Sequence, residues 1–462
     1  LIVGAGMAGL LAAHTLLARR PGTRVLLVEA GPALSERLGQ PMGGMSGLGG
    51  AGLYLGGRLY LGPTTVPVLP PVSAPPELRP VLADEAYLAR ARAVEALLLR
   101  LGARAEVREA PDPRLAAAAA QARDCGLEYV LSYPARLLSA EERRAARAAL
   151  QAELEAHGAR FAFGWRMRAA RRDDGAGFTV ELAPAERARE DGAEICQLQA
   201  RTLLLAPGRY GTEWLVATAE ALGARAVPLP VTFGVRIELP LAVYAPLTAI
   251  NPDPRLQMPA GEDAIIKTYA TCLGGYVAPI TRYGALVASG MPVRPDQRGP
   301  STTVAILAQP GVRGAAAAWR GGERIAARLN ERAPGRLIVQ RLADARARRP
   351  TTPADLAANP VRPTCAEAVP SALHDAYPAA YWEALEGFLA RIARLAPGVD
   401  SGATLLYGPA EERFWHFPTD DQLETSAPGL FVAGDAAGQS QGALQAGVAG
   451  ALAGEGLAAR LE

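Results

Sequence analysis

The spacing of apolar and polar positions changes along the chain, and each change marks an element. Leu1-Ile2-Val3 is an unbroken apolar run, a stretch rich in Ala and Leu reaches Arg20, and Val25-Leu26-Leu27-Val28 is apolar again. Short uninterrupted runs suit strands buried on both faces of a parallel sheet, and the stretch between them suits a helix that Pro21-Gly22 stops. Helical patterns predict helices over 84–101, 114–124 and 140–157. The last opens with Ser139-Ala140-Glu141-Glu142, a capping pattern. Strand patterns fall at 160–169, 177–182 and 203–205. Residues 39–62 form a Gly-rich loop and 63–80 a Pro-rich connection. From 210 to 397, strands such as 231–239 mix with helical stretches at 323–332 and 379–395. Leu430-Phe431-Val432-Ala433 is a final strand, followed by a helical stretch at 443–461. No internal repeat or low-complexity segment interrupts the pattern.

Composition narrows the class. A chain of 462 residues suits two lobes. Half its residues are hydrophobic and a fifth charged, as in an ordinary soluble enzyme. The net charge of +2, with basic residues spread throughout, gives no reason to expect nucleic acid or an anionic membrane surface as partner. No apolar run approaches the roughly 20 residues that span a bilayer. Cys125, Cys196, Cys272 and Cys365 lie far apart, with no CxxC pair and no His at ligand spacing. Neither a disulfide framework nor a metal site is expected, and a reducing cytoplasm fits. The sequence opens inside an apolar strand, so a few preceding residues are expected and a lost targeting peptide stays open. Lys267 is the only lysine, which we read as the mark of a GC-rich genome.

Three glycine motifs carry candidate chemistry. Gly4-Ala5-Gly6-Met7-Ala8-Gly9 follows a strand and opens a helix, the context of a dinucleotide fingerprint. Gly4 permits the turn, Gly6 lets backbone approach a pyrophosphate, and Gly9 lets helix and strand pack closely. The N–H groups around Met7 and Ala8 then face the phosphates. Glu29-Ala30 ends the second strand, where a carboxylate can accept from a ribose and repel a 2′-phosphate, disfavouring NADP. The bland alternative is a helix turn without ligand. Gly47-Leu48-Gly49-Gly50-Ala51-Gly52 repeats the spacing without a strand before it, so it reads as a loop bare enough for a planar ring, or as a plain flexible loop. Gly434-Asp435 follows the final strand, placing a carboxylate where a polyol can be bound. Gly442-Ala443-Leu444 opens a helix whose N–H groups suit the negative charge of a reduced flavin.

Together these pieces resemble the FAD-binding oxidoreductases of the glutathione-reductase superfamily, in the branch without a separate nicotinamide-binding domain. Ala206-Pro207-Gly208-Arg209 stands where that superfamily has its Ala-Thr-Gly strand end. The chain is more closely similar to the bacterial group usually labelled uncharacterised FAD-dependent dehydrogenases, through Gly49-Gly50-Ala51-Gly52, Pro207-Gly208-Arg209 with Glu213-Trp214, and Gly234-Val235-Arg236-Ile237-Glu238. Gly274-Gly275-Tyr276, Gln340-Arg341-Leu342-Ala343-Asp344 and Gly434-Asp435 extend the resemblance over nearly the whole chain. It implies an α/β fold: a split Rossmann-type FAD-binding domain (1–62, 130–210 and 398–462), a helical flanking segment (63–129) and an inserted α+β substrate domain (211–397). It implies Arg37 near the adenosine or pyrophosphate, and Met167 against the adenine through its backbone. Two departures stand out. The relatives carry cysteines before the Gly-rich loop where this chain has Gln40-Pro41-Met42-Gly43-Gly44, and Leu55-Gly56-Gly57-Arg58 replaces their common Asp-Gly-Lys.

A flavin performs hydride transfer itself, so protein groups that could face its ring are sought in the middle of the chain. Arg236 and Glu238 share one face of a strand, where Arg236 could hold an anionic substrate or the pair could be an ordinary ion pair. Lys267 reads as a surface lysine, Cys272 as a buried inert thiol, and His416 as a proton donor beside an aromatic wall or part of an aromatic core. His374 beside Asp375 is a weaker acid/base candidate. The expected activity is an FAD-dependent oxidoreductase exchanging a hydride between an organic substrate and flavin N5, with NAD(P)H at most a transient visitor. Its alternatives are a flavin monooxygenase and a non-catalytic FAD-stabilised binding protein.

Overall fold

The computed structural model describes residues 1–37, 46–53, 58–60, 84–102, 107–108, 113–130, 135–174, 177–188, 190, 192, 194–251, 253–261, 263–291, 293, 298–311, 315–438, 440 and 442–462. The sequence departures at 40–44 and 55–57 lie outside them, and of Arg58 only the backbone is described. The chain divides into two compact units. Unit 1 comprises Leu1–Ala110, Ser132–Pro228 and Trp415–Glu462, and unit 2 comprises Pro111–Leu131 and Leu229–Phe414.

In unit 1 five parallel strands run in the order Leu430–Val432, Leu203–Leu205, Ile2–Val3, Leu26–Glu29, Arg160–Phe163. Alternate residues serve opposite faces. Ile2, Leu27, Leu204 and Phe431 pack beneath the helices Met7–Arg19, Asp84–Arg100, Ala140–Ala156 and Ala443–Arg460. Val3, Val28, Leu205 and Val432 pack on a three-stranded antiparallel sheet, through Met167, Phe178, Val180 and Leu182, and on the helix Thr212–Ala221. Burial on both faces explains why these strands read as unbroken apolar runs. The first and last helices touch backbone to backbone: a Cβ on Gly450 would lie 2.1 Å from the Ala8 carbonyl oxygen, and one on Gly454 2.6 Å from that of Ala12. The predicted cap is present, with Ser139 Oγ accepting from Glu142 N–H and the Glu142 carboxylate accepting from Ser139 N–H.

The single strand expected over 160–169 is two. Gly164, at φ +71°, turns the chain out of the parallel sheet, and Trp165–Arg172 begins the antiparallel one.

Unit 2 is built on an eight-stranded sheet ordered Val369–Pro370, Ile338–Arg341, Leu405–Glu412, Thr232–Pro240, Ser301–Pro310, Ala264–Cys272, Leu256–Pro259, Glu128–Tyr129. Only its first pair is parallel. One face (Val235, Ile237, Val304, Ile306, Ile266) packs on Trp382, Leu385, Phe388 and Leu389 of the helix Ala379–Ala393. The other carries Arg236, Glu238, Thr303, Ala305 and Lys267, and part of it lies under the hairpin Tyr276–Arg282/Ala285–Met291.

The expected boundaries at 210, 398 and within 63–129 differ from this division for reasons of pairing. The helix Thr212–Ala221 buries Leu215 and Ala219 against unit 1 strands, while Leu405–Glu412 is an inner strand of the unit 2 sheet. Glu128–Tyr129 pairs with Leu256–Gln257 of unit 2, whereas Asp84–Arg100 packs Val94 and Leu98 in the helix-side core of unit 1.

Candidate functional site

The carboxyl ends of four parallel strands in unit 1 are stitched together by main-chain bonds. Ala433 N–H donates to Leu205 O, Ala206 N–H to Val3 O, and Gly4 N–H to Val28 O. The turns that follow, at Gly4, Ala206-Pro207-Gly208 and Gly434-Asp435, therefore sit side by side, at the end of an α/β sheet where ligands bind. Close approach demands the glycines. A Cβ on Gly4, at φ +105°, would lie 2.2 Å from Ala206 O, one on Gly9 1.9 Å from Gly4 O, and one on Gly434 3.2 Å from the Ala8 Cβ. Gly6 differs: it caps the first helix, has an ordinary φ of −75°, and its added Cβ would meet nothing nearer than Gly50 Cα at 3.9 Å.

Two helices begin at this edge without a capping side chain. Met7–Arg19 has Gly6 as its N-cap and no acidic residue in its first turn, and Ala443–Arg460 has Gly442 at φ +138° and no acidic residue there either. The first-turn N–H groups of both lack intrahelical acceptors, so each offers donors and partial positive charge to an anion. Ala443 and Leu444 are buried in the second of these turns. Ser440, just before it, is buried, and its hydroxyl has no hydrogen-bond partner among the described residues.

Glu29, expected to accept from a ribose, is held by three main-chain donors. Its Oε2 accepts from Ala5 N–H at 2.8 Å, and its Oε1 accepts from Gly31 N–H and Gly47 N–H, each at 2.8 Å. The carboxylate thereby ties the first turn to the 47–52 loop, and Oε2 keeps one lone pair. Ala30 follows it at the mouth of the edge, partly exposed.

That loop, read from the sequence as a platform for a planar ring, is packed on its bare positions by protein. Gly49 N–H donates to Ala5 O, and Gly6 and Gly49 form a parallel bridge. A Cβ on Gly49 would strike Arg147, one on Gly50 would lie 3.0 Å from Gly6 Cα, and one on Gly52 2.8 Å from Ala443 Cβ; Ala51 is half-buried. Arg37 is fully buried beneath, donating to the carbonyls of Gly47 and Leu48. Arg147, unforeseen from sequence, supports the same loop from the helix Ala140–Ala156. Met167 is buried in the core at a bulge of its strand.

Asp435 lies 4.0 Å from Arg209, which follows Gly208 in the neighbouring turn. His416 is brought to the same region. Its strand Trp415–His416 pairs with Val227–Pro228, and a Cβ on Gly438 would overlap Trp415 O and lie 3.6 Å from His416 Cα. Arg236, Lys267 and Cys272 belong to unit 2. Arg236 and Glu238 do not pair: Glu238 accepts from Tyr407 OH and Thr364 N–H, while Arg236 Nη1 donates to Ala270 O and Thr303 Oγ1. Lys267 is not a surface lysine but 92 % buried, because its strand is an inner one. Burial raises the Cys272 thiol pKa and lowers that of Lys267 to about 7. His374 is held by Gln340, and Asp375 is paired bidentately with Arg332, so these two form no acid/base couple.

Residues 2–39 match the family model described as an NAD(P)-binding Rossmann-like domain. Among the described residues no helix is long and apolar enough to cross a membrane. No curated protein matches the chain. Solved structures similar to it include the glycine oxidase from Geobacillus kaustophilus, with TM-score 0.36, 14 % identity, and 99 % of this chain and 94 % of that one covered. CtdE in complex with FAD gives 0.33 and 14 %, over 99 % and 82 % of the two chains. A flavoprotein/dehydrogenase from Cytophaga hutchinsonii gives 0.37 and 12 %, over 99 % and 78 %. The strand, glycine turn and helix at the start of the chain are thus similar to an NAD(P)-binding Rossmann-like domain.

Proposed function

We propose that this chain is an FAD-dependent oxidoreductase that exchanges a hydride between an organic substrate and the flavin, with unit 1 binding the cofactor and unit 2 the substrate. The reading is carried by one observation: two helices open without side-chain caps at one sheet edge, one after the Gly4 turn and the other after Gly434-Asp435. A pyrophosphate suits the first and a sugar alcohol the Asp435 carboxylate; FAD contains both, and NAD lacks the second. The buried Ser440 hydroxyl, lacking a partner among the described residues, fits a polar ligand at this place.

Bound FAD would supply the two-electron chemistry. The chain's own residues hold and orient it: Met7, Ala8 and Gly9 donate main-chain N–H groups, Glu29 offers its remaining lone pair to a ribose, and Arg209 steadies Asp435. Ala443 and Leu444 open the helix facing the ring end. With one dinucleotide fingerprint in its proper context, any nicotinamide donor is a visiting substrate.

The test is the colour of the purified protein. We expect a two-banded flavin spectrum, release of FAD on denaturation, and anaerobic bleaching by a reducing substrate. A colourless protein that takes up no added FAD overturns the reading. Formation of a hydroxylated product only in the presence of oxygen would move the reaction class to oxygenation.

A further inference from the structure

The sheet face in unit 2 that carries Arg236 holds two buried basic side chains, Arg236 and Lys267, and no ion pair for either among the described residues. Arg236 is 97 % buried. Its Nη1 is spent on Ala270 O and Thr303 Oγ1, and its buried Nε has no partner among the described residues. Among the described residues, Lys267 Nζ has a single hydrogen-bond partner, the neutral Gln309 Oε1, and it lies 5.9 Å from the centre of the Tyr269 ring. An ammonium carries three donors, so one partner in a buried place suits a neutral amine with its lone pair available.

The carboxylates within electrostatic reach of the two cations are already engaged. Glu412 takes Arg282 bidentately, at 3.1 Å for each oxygen. Asp253 lies 3.6 Å from Arg255 and accepts from Thr271 N–H. The other acidic groups close to Arg236 are the Tyr269 hydroxyl and Cys272, whose thiol burial keeps neutral. Glu238, on the same face as Arg236, is bound to Tyr407 and Thr364, so among the described residues neither Arg236 nor Lys267 has a carboxylate in contact. A buried charge without a counter-charge is expensive, and the expense is explained if a ligand brings the missing negative charge.

The backbone is bent around Arg236 on both sides. In its own strand the register shifts between Gly234 and Arg236, where Tyr381 OH accepts from Val235 N–H and Tyr377 OH donates to Gly234 O. In the strand of Lys267 it shifts between Tyr269 and Cys272, where Ala270 takes φ +49° and turns its carbonyl to the guanidinium. A non-glycine residue in that region is strained, and bulges re-aim side chains near active sites. The register sets Arg236 across Ala305 from Tyr269, and Lys267 across Leu307 from Gly234. At about 4.8 Å per strand and 3.4 Å per residue, the two cations stand about 12 Å apart at their Cα atoms, a span two long side chains and a small molecule can bridge.

Composition supplies a separate argument. Of the 48 basic residues, Lys267 alone is lysine. A site needing only positive charge would be served by arginine, as everywhere else in this chain. What lysine adds is an amine that can lose and regain a proton.

We propose that this face is a binding site for a small organic carboxylate, gripped by the Nε edge of Arg236, and that the neutral amine of Lys267 accepts a proton from an O–H or N–H of the bound molecule. The proton joins the Nζ lone pair, and the electron pair of the broken bond stays on the oxygen or nitrogen. This deepens the oxidoreductase reading by naming its substrate class, yet carboxylate binding can be measured whether or not flavin is present.

Two measurements on the purified protein test it. In calorimetric titrations with straight-chain carboxylates from propionate to octanoate, Arg236→Met is expected to weaken binding at least tenfold, the effect of about one charge-assisted hydrogen bond, while exposed Arg187→Met changes nothing. On the unmutated protein, acetylation of Lys267 by acetic anhydride is read from a single peptide. It should be half-maximal near pH 7, where burial and neighbouring Arg255 hold this amine, and should be suppressed by bound carboxylate. Absence of carboxylate binding, equal binding by Arg236→Met, or acetylation that neither begins below about pH 9 nor responds to carboxylate would overturn the proposal. Flavin present with any of these results fails this proposal alone. Carboxylate binding without flavin fails the cofactor reading and leaves this one standing.

Discussion

The two proposed sites, in unit 1 and unit 2, would hold negative charge by opposite means. At the strand ends of unit 1 the donors are main-chain N–H groups at two helix starts, and the side chains are missing where the ligand is to lie. On the sheet face of unit 2 the donors are the long side chains of Arg236 and Lys267, buried among neighbours that do not neutralise them. The first arrangement needs close approach and costs little electrostatically, because helix dipoles exist whether or not anything binds. The second stores an unfavourable charge that only a ligand, or loss of a proton, relieves. A main-chain site should fail through sterics, and a side-chain site should fail through charge.

The largest expected effect is steric. In Gly9→Ala the new Cβ would lie 1.9 Å from Gly4 O and 3.2 Å from Ile2 Cγ2, so strand and helix must separate. We expect loss of at least about 4 kcal/mol, read as lost soluble yield and a lost cooperative unfolding transition. A well-folded Gly9→Ala protein would show that the first turn is looser than its packing indicates.

Next comes Lys267→Met, which should stabilise. The amine titrates near 7 in the folded protein against an ordinary 10.5. Above about pH 10.5 it is neutral in both states and contributes no penalty. As pH falls from 10.5 to 7 the unfolded chain takes up a proton that the folded protein refuses, so stability falls, and below 7 the penalty is complete. The shift is worth on the order of 3–5 kcal/mol, of which the lost bond to Gln309 takes back about 1. Denaturant unfolding at pH 7 should therefore show Lys267→Met more stable by about 2–4 kcal/mol, with the gain gone near pH 10.5. An unchanged pH slope would remove the charge argument from unit 2.

The same contrast explains what could be read from residues alone. The turn of Gly4 to Gly9, the Gly434-Asp435 strand end, the Ser139/Glu142 cap and most helices were legible, because each is a local backbone requirement that few residue types satisfy. The burial of Lys267 was not, since it depends on which strands flank residues 264–272, and that register is set by segments far along the chain. The bonding of Arg236 to Ala270 and Thr303, instead of to Glu238, rests on two bulges without a strong local signature. Arg37 is expected near the adenosine or pyrophosphate and Arg147 carries no signal, yet both support the 47–52 loop, because that packing brings together segments distant in the chain. Gly164 is a local signal of a different kind, since its positive φ divides the stretch 160–169 between two sheets.

Gly6→Ala gives the smallest effect on the fold and the sharpest test of what the first turn is for. Gly6 and Gly9 sit three residues apart in one motif, yet only Gly9 is required by the protein's own packing. An alanine at Gly6 keeps an allowed φ of −75° and meets nothing closer than 3.9 Å, so its cost is that of a poorer N-cap, below about 1 kcal/mol. The added methyl group would instead stand where a pyrophosphate must approach the backbone. Thermal unfolding should be nearly unchanged while flavin uptake weakens about 100-fold, equivalent to about 2.7 kcal/mol lost only in the bound state. Unchanged uptake would mean that the phosphates do not pass Gly6, and the main-chain account of unit 1 would fall even if the protein were yellow. A large loss of stability without ligand would instead make Gly6 a packing glycine like Gly9, and the division between a steric site and a charged one would have to be drawn elsewhere.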